Sequence, residues 1–180
     1  MRFHRIHKVF ICLTVLVWLS APVFAGLQES RALEIKAAFL IQFSKYLTWP
    51  ESSFDGLETP VIIGILGRDP FGSVLDKIAR SSMINGRNVK VMRFDNITSV
   101  KKIHILFVSS PQVDHMVDVI ASIADRPVLL VGENEHFLEF GIINFVIVEN
   151  KVRFNISKTN ADRYRLKISS KLLRVANEVK

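Results

Sequence analysis

Outside the first 25 residues, the side chains best suited to chemistry are His104, His115 and His136, the step Ser109-Ser110-Pro111, and the glycines of Gly64-Ile65-Leu66-Gly67 with Gly72. None has the spacing that a reaction needs. The histidines lack the helical HExxH arrangement that aims two imidazoles and a glutamate at one zinc ion. His104 alternates within a predicted strand, where it faces either core or solvent, and each of the three reads as a structural histidine before a ligand. The serines follow a strand-like stretch without the flanking glycines of a nucleophile elbow. The glycines match neither the dinucleotide fingerprint nor a phosphate loop, which needs a Lys-Ser/Thr pair. Gly67 reads as a turn residue. Asn96-Ile97-Thr98 and Asn155-Ile156-Ser157 fit the acceptor pattern for N-glycosylation, which matters only in a eukaryotic secretory route. The single cysteine, Cys12, excludes an intrachain disulfide and any multi-thiolate metal site. No catalytic residue, metal or cofactor is expected.

Residue types suited to binding are easier to find. Arg163, Lys167, Lys171 and Arg174 recur at helical spacing near the C-terminus. They form either a solvated face or a docking stripe for an acidic partner or anionic lipid. Trp49 and Phe54 fall in an irregular segment bounded by Pro50 and Pro60. Phe137 and Phe140 flank Leu138 in a second loop, where they fill the sheet's edge or protrude as anchors. A third set, Gly67, Arg68, Asp69, Ser109, Ser110, Gly132 and Glu133, follows the predicted strands. It would line a ligand crevice beyond their carboxyl ends, with Arg68 and Glu133 supplying charge.

The elements that must position these residues follow from periodicity. Residues 29–47 place Ala32, Ile35, Phe39, Phe43 and Tyr46 at three- and four-residue spacing, and Leu33, Leu40, Ile41 and Leu47 widen the face. A helix apolar most of the way round is deeply packed or holds a partner. Trp49-Pro50 stops it. Pro60 opens Val61–Leu66, which has the continuous β-branched look of a strand buried on both faces. Asp69-Pro70 predicts a helix start, and Asn85-Gly86 a turn before a strand at 89–93 nearer an edge. A strand at 103–108, a helix at 113–124 and a strand at 127–131 repeat the cycle, so a mostly parallel sheet is expected. Residues 142–148 and 151–156, separated only by Glu149-Asn150, predict an antiparallel hairpin. A final helix is expected from Thr159, capped by Thr159 and Asp162, with Ala161, Tyr164, Ile168, Leu172 and Val175 buried. The fold class is α/β: one three-layer α/β/α domain over residues 26–180, with a C-terminal antiparallel hairpin and flanking helices.

Residues 1–25 read as a signal peptide. Arg2, Arg5 and Lys8 precede an uncharged apolar run, and Val23-Phe24-Ala25 puts small residues where a signal peptidase reads. The run from Val9 to Ala21 is shorter than the ~20 residues a spanning helix needs. Cleavage after Ala25 and a periplasmic location are expected; the alternative is an uncleaved membrane anchor, since Val9 to Ala25 holds no charge. The formal charge of +7 then loses Arg2, Arg5 and Lys8, and the modest remainder does not point to nucleic acid.

The chain resembles the YfiR family of small bacterial periplasmic proteins. The resemblance is carried by residues 37–50 (AAFLIQFSKYLTWP), 65–72 (ILGRDPFG), Val131-Gly132-Glu133, 140–145 (FGIINF), 152–156 (VRFNI) and 166–173 (LKISSKLL). It implies a regulator without catalysis or cofactor. Such a regulator binds the periplasmic domain of an inner-membrane signalling protein, a diguanylate cyclase or sensor kinase. Holding a cyclase inactive lowers cyclic di-GMP and biofilm formation. A homodimer is compatible with this reading. Some relatives carry redox-linked cysteine pairs, which this chain lacks. The glycine pair common before the hairpin is here Phe140-Gly141-Ile142. A periplasmic small-molecule binder using the strand-end crevice is the alternative, and an exported enzyme is the least supported class.

Overall fold

The computed structural model describes residues 21–100, 102–110, 115–123 and 126–180. The chain divides between Leu33 and Glu34, and the second unit, Glu34–Lys180, contains the sheet. The proposed leader lies outside the described residues up to residue 20. Its last residues, 21–25, belong to helix α1 (Ala21–Lys45). Among the described residues, no helix is long and apolar enough to cross a membrane.

After α1 come β1 (Leu47–Thr48), β2 (Val61–Leu66), α2 (Ser73–Arg80), β3 (Met83–Ile84), β4 (Arg87–Phe94) and β5 (Ile105–Val108). Helix α3 (Met116–Ile123), β6 (Leu129–Gly132), β7 (Ile143–Val148) and β8 (Lys151–Ile156) follow. The chain closes with α4 (Lys158–Arg163), β9 (Lys167–Ile168), α5 (Ser170–Val175) and β10 (Glu178–Val179). Among the described residues, the main sheet has eight strands in the order β10-β8-β7-β6-β5-β2-β4-β3. The run from β4 through β2, β5 and β6 to β7 is parallel, as the apolar strand cores require. The strand order reverses between β2 and β5, which brings Gly67 and Ser109 to neighbouring strand ends. Gly64 lets this centre close up: a side chain there would press on Leu106 and Phe94.

The expected hairpin forms as β7 and β8, antiparallel from Ile143↔Ile156 to Val148↔Lys151. Its two turn residues, Glu149 and Asn150, both take positive φ (50° and 59°), the backbone that matches the twist of tightly joined strands. Phe39 and Phe43 of α1 pack on one face of this hairpin. Phe43 lies 5.8 Å from Phe145 and 5.0 Å from Phe154, ring centre to ring centre. Such pairs each add about 0.5–1.5 kcal/mol beyond their buried area.

Three expectations need correction. Helix α1 ends at Lys45 rather than residue 47, because Leu47 and Thr48 pair antiparallel with Ile168 and Lys167 of β9. Helix α2 starts at Ser73 rather than Asp69. The Asp69 carboxylate instead accepts the Phe71 N–H (2.7 Å) in a local turn, and Gly72 takes φ +49°. The single final helix is two short helices with a strand between them. Arg165 adopts φ +58°, and the Leu166 N–H reaches back to the Ala161 carbonyl (2.9 Å), closing α4 in the left-handed manner of a helix terminus. Ser157, not Thr159, caps α4, its hydroxyl accepting the Asn160 N–H. Of the expected buried stripe, Ala161, Tyr164 and Leu172 are buried, whereas Val175 is 62% exposed.

Candidate functional site

The break at Arg165 redistributes the C-terminal cations. Arg163 ends α4, Lys167 lies in β9, and Lys171 and Arg174 lie on α5, so the four do not form one helical stripe. Lys171 and Arg174 instead border an apolar groove of about 520 Å³. Phe39 and Tyr46 come to it from α1 and its end, Phe154 from β8, and Leu172 and Val175 from α5. The pairing of β1 with β9, supported by the Ser169 N–H on the Tyr46 carbonyl (2.9 Å), holds α5 beside α1. Tyr46 remains 37% and Val175 62% exposed. An apolar trough with two cations at its edge suits a partner segment that carries both apolar and acidic side chains. Sequence periodicity placed Val175 in a buried stripe and left the face of Phe39 and Tyr46 as either packed or partner-holding. The usable signal was the breadth of the apolar face on α1.

The other aromatic candidates are held inside the protein. Phe137 is fully buried, lying against Gly132 and Gly141. It fills the space beside the sheet instead of protruding. Its loop is tied down by Asn160, whose side-chain amide donates to the carbonyls of Leu138 (2.9 Å) and Gly141 (2.8 Å). The Tyr164 hydroxyl donates to the Phe140 carbonyl (3.3 Å), and burial pushes its pKa up. Phe140 itself is half-buried. Trp49 is buried, and half-buried Phe54 lies between the His104 ring (4.4 Å) and the Arg87 guanidinium (4.1 Å). With Ile84 and Arg87, they line a smaller cavity of about 150 Å³.

At the strand ends, most of the charge of the expected crevice is spent internally. Asp69 pairs with Arg93 (2.7 Å), which also binds Asp76 (2.7 Å) and the Gly72 carbonyl (3.0 Å). Arg93 beside it holds the Asp76 carboxyl below the usual carboxylate range, and the two acids push Arg93 further up. Glu133 pairs with Lys36, a lysine buried on α1. The Ser110 hydroxyl donates to the Glu133 carbonyl (2.9 Å). Ser109 is buried with its hydroxyl unpartnered among the described residues. Gly132 is covered by Phe137. Arg68 alone of the three charged candidates is exposed and, among the described residues, without a hydrogen-bonded partner. No group of three metal-ligating side chains assembles among the described residues.

A family model described as DUF4154, YfiR/HmsC-like, matches residues 33–177, from the middle of α1 to the residue before β10. The chain belongs to the YfiR/HmsC-like family. Both walls of the groove lie inside the matched region. No curated protein matches this YfiR/HmsC-like chain in sequence. Among solved structures, it is similar to the ABC domain from Streptococcus pneumonia in complex with L-Trp, at 13% identity and a TM-score of 0.49. That match covers 67% of this chain and 55% of the other. It is also similar to a conserved domain protein from Vibrio cholerae O1 biovar El Tor, at 12% identity and a TM-score of 0.48, covering 66% of this chain and 54% of the other. The chain spans just over half the length of either structure.

Proposed function

We propose that this protein is a periplasmic regulator that acts by binding, without catalysis. It docks on the periplasmic part of an inner-membrane diguanylate cyclase and holds the enzyme inactive. Membership of the YfiR/HmsC-like family supports the regulatory role. The groove between α1 and α5 is the observation that carries the choice of surface. It offers apolar area that the fold leaves uncovered and places Lys171 and Arg174 beside it. Apolar anchors seated in such troughs supply most of the binding energy at protein interfaces, while rim charges guide approach and register.

Deleting the gene raises cyclic di-GMP in cells that express the cyclase. A Val175→Asp protein, altered at an exposed groove position, folds normally and fails to restore the low level. Unchanged cyclic di-GMP after deletion overturns the regulator. Full complementation by Val175→Asp preserves the regulator and removes the groove from its mechanism.

A further inference from the structure

One imidazole fastens the segment between Trp49 and Pro60 to the sheet. His104, immediately before β5, is 3% exposed. Its Nδ1 lies 3.0 Å from the Ile62 N–H and accepts that hydrogen bond, so Nδ1 carries no proton. Its Nε2 lies 3.1 Å from the Ser53 carbonyl, an acceptor only, so Nε2 carries the proton and donates it. The ring therefore bridges β2 and the short turn Glu51–Ser53 in one tautomer. Phe54 stacks on its face at 4.4 Å, and Trp49 meets it edge-on at 6.0 Å. Arg87 closes the outer side of the segment. Its guanidinium covers Phe54 and donates to the carbonyls of Gly56, Leu57 and Thr59 at 2.6 to 2.9 Å.

We propose that His104 is a proton-operated latch, whose protonation at Nδ1 releases the Trp49–Pro60 segment and uncovers Trp49 and Phe54 as an aromatic surface. A proton on Nδ1 sets two donors, imidazolium N–H and Ile62 N–H, against each other across 3.0 Å. The ring must turn away, and the Ser53 hydrogen bond and the Phe54 stack go with it. The surroundings leave the cation no other refuge. Burial is the largest cause that lowers the His104 pKa, and Arg87, facing it from β4, lowers it further. Only the Ser53 carbonyl favours the charged ring. Asp55, the acid next to Phe54, is paired with Lys102 and does not serve as a counter-ion. With the segment open, the ring regains its ordinary value of 6.5. Proton uptake and opening are therefore linked, and acid below that value favours the open form.

The test is hydrogen exchange on the full chain at about pH 7.5 and about pH 5.5, corrected for intrinsic exchange rates, together with the His104 ring-proton titration by NMR. Protection of the Ile62 amide and of residues 51–59 falls severalfold on acidification, up to the about tenfold limit that one linked proton with an open-state value of 6.5 allows between these pH values. His104→Asn, which retains a side-chain acceptor and cannot titrate, abolishes that pH dependence. The wild-type ring titrates below 6.5. Unchanged protection in the wild type, an equal loss in His104→Asn, or a ring titration at or above 6.5 each overturns the latch. The titration is read on wild-type protein, so it decides the matter even where the variant folds poorly.

Discussion

Phe137 occupies the volume that a side chain at Gly141 would fill, and its ring closes against Gly132 on the preceding strand as well. The two glycines and one aromatic ring form a single packing unit that joins the end of β6 to the start of the hairpin.

Gly141→Ala is therefore strongly destabilising. Its methyl group would overlap the Phe137 ring, and both are fully enclosed. Overpacking of this kind costs about 1–3 kcal/mol. Denaturant unfolding measures the loss, and adding Phe137→Leu recovers part of it. A Gly141→Ala midpoint equal to wild type would show that the ring has room to move.

Asn160→Leu costs about 1–3 kcal/mol, because it leaves the carbonyls of Leu138 and Gly141 without their donor in a buried setting. The loss appears in thermal unfolding. Hydrogen exchange of residues 137–141 rises with it, since that loop loses its tie to α4.

Stability falls in acid in two windows. The His104 pKa is depressed in the folded protein, so its contribution is complete above the unfolded value of 6.5 and drains away as pH falls through and below it. Asp76 is also depressed, by its bond to Arg93. Its contribution is complete above 3.8 and is lost only as pH falls further, toward its folded value. Unfolding midpoints measured against pH show both declines in the wild type. His104→Asn removes the upper one alone.

Charge reversal at the groove separates steering from anchoring. If the proposed membrane cyclase docks at the groove, Lys171→Glu with Arg174→Glu slows association with it and removes most of the salt dependence, because exposed rim charges act mainly on encounter. Val175→Asp instead speeds dissociation. Surface plasmon resonance against the solubilised partner at two salt concentrations distinguishes them. Equal effects on both rates from both proteins would mean that the groove does not divide into rim and anchor.

Much of the fold is legible in the chain because its signals are local. Val61–Leu66 is apolar and β-branched throughout, and Glu149-Asn150 leaves two strands no connection but a tight hairpin. The break after α4 is not legible. Arginine rarely adopts positive φ, yet Arg165 does, and the next residue, Leu166, is buried with its N–H on the Ala161 carbonyl. Continuing the helical period across that residue made one basic stripe out of cations that lie in three elements. The groove is hidden for a different reason. Phe39 and Leu172 line one groove, and the β1–β9 pair that holds α5 beside α1 is two residues long, which no periodicity announces. The pattern leaves His104 facing core or solvent within a strand; it is buried just before β5, and the two backbone groups that fix its tautomer come from distant segments.

The aromatic packing of α1 also sets an order of events. A ribosome delivers Phe39 and Phe43 before the hairpin that will cover them, and α5 emerges later still. For most of its synthesis the chain must carry an uncovered apolar helix. Contacts between such distant segments form late in folding, after the loops that separate them have closed. The groove is thus assembled late, and a nascent or truncated chain exposes to holdase chaperones the same helix flank that the finished protein presents in its groove.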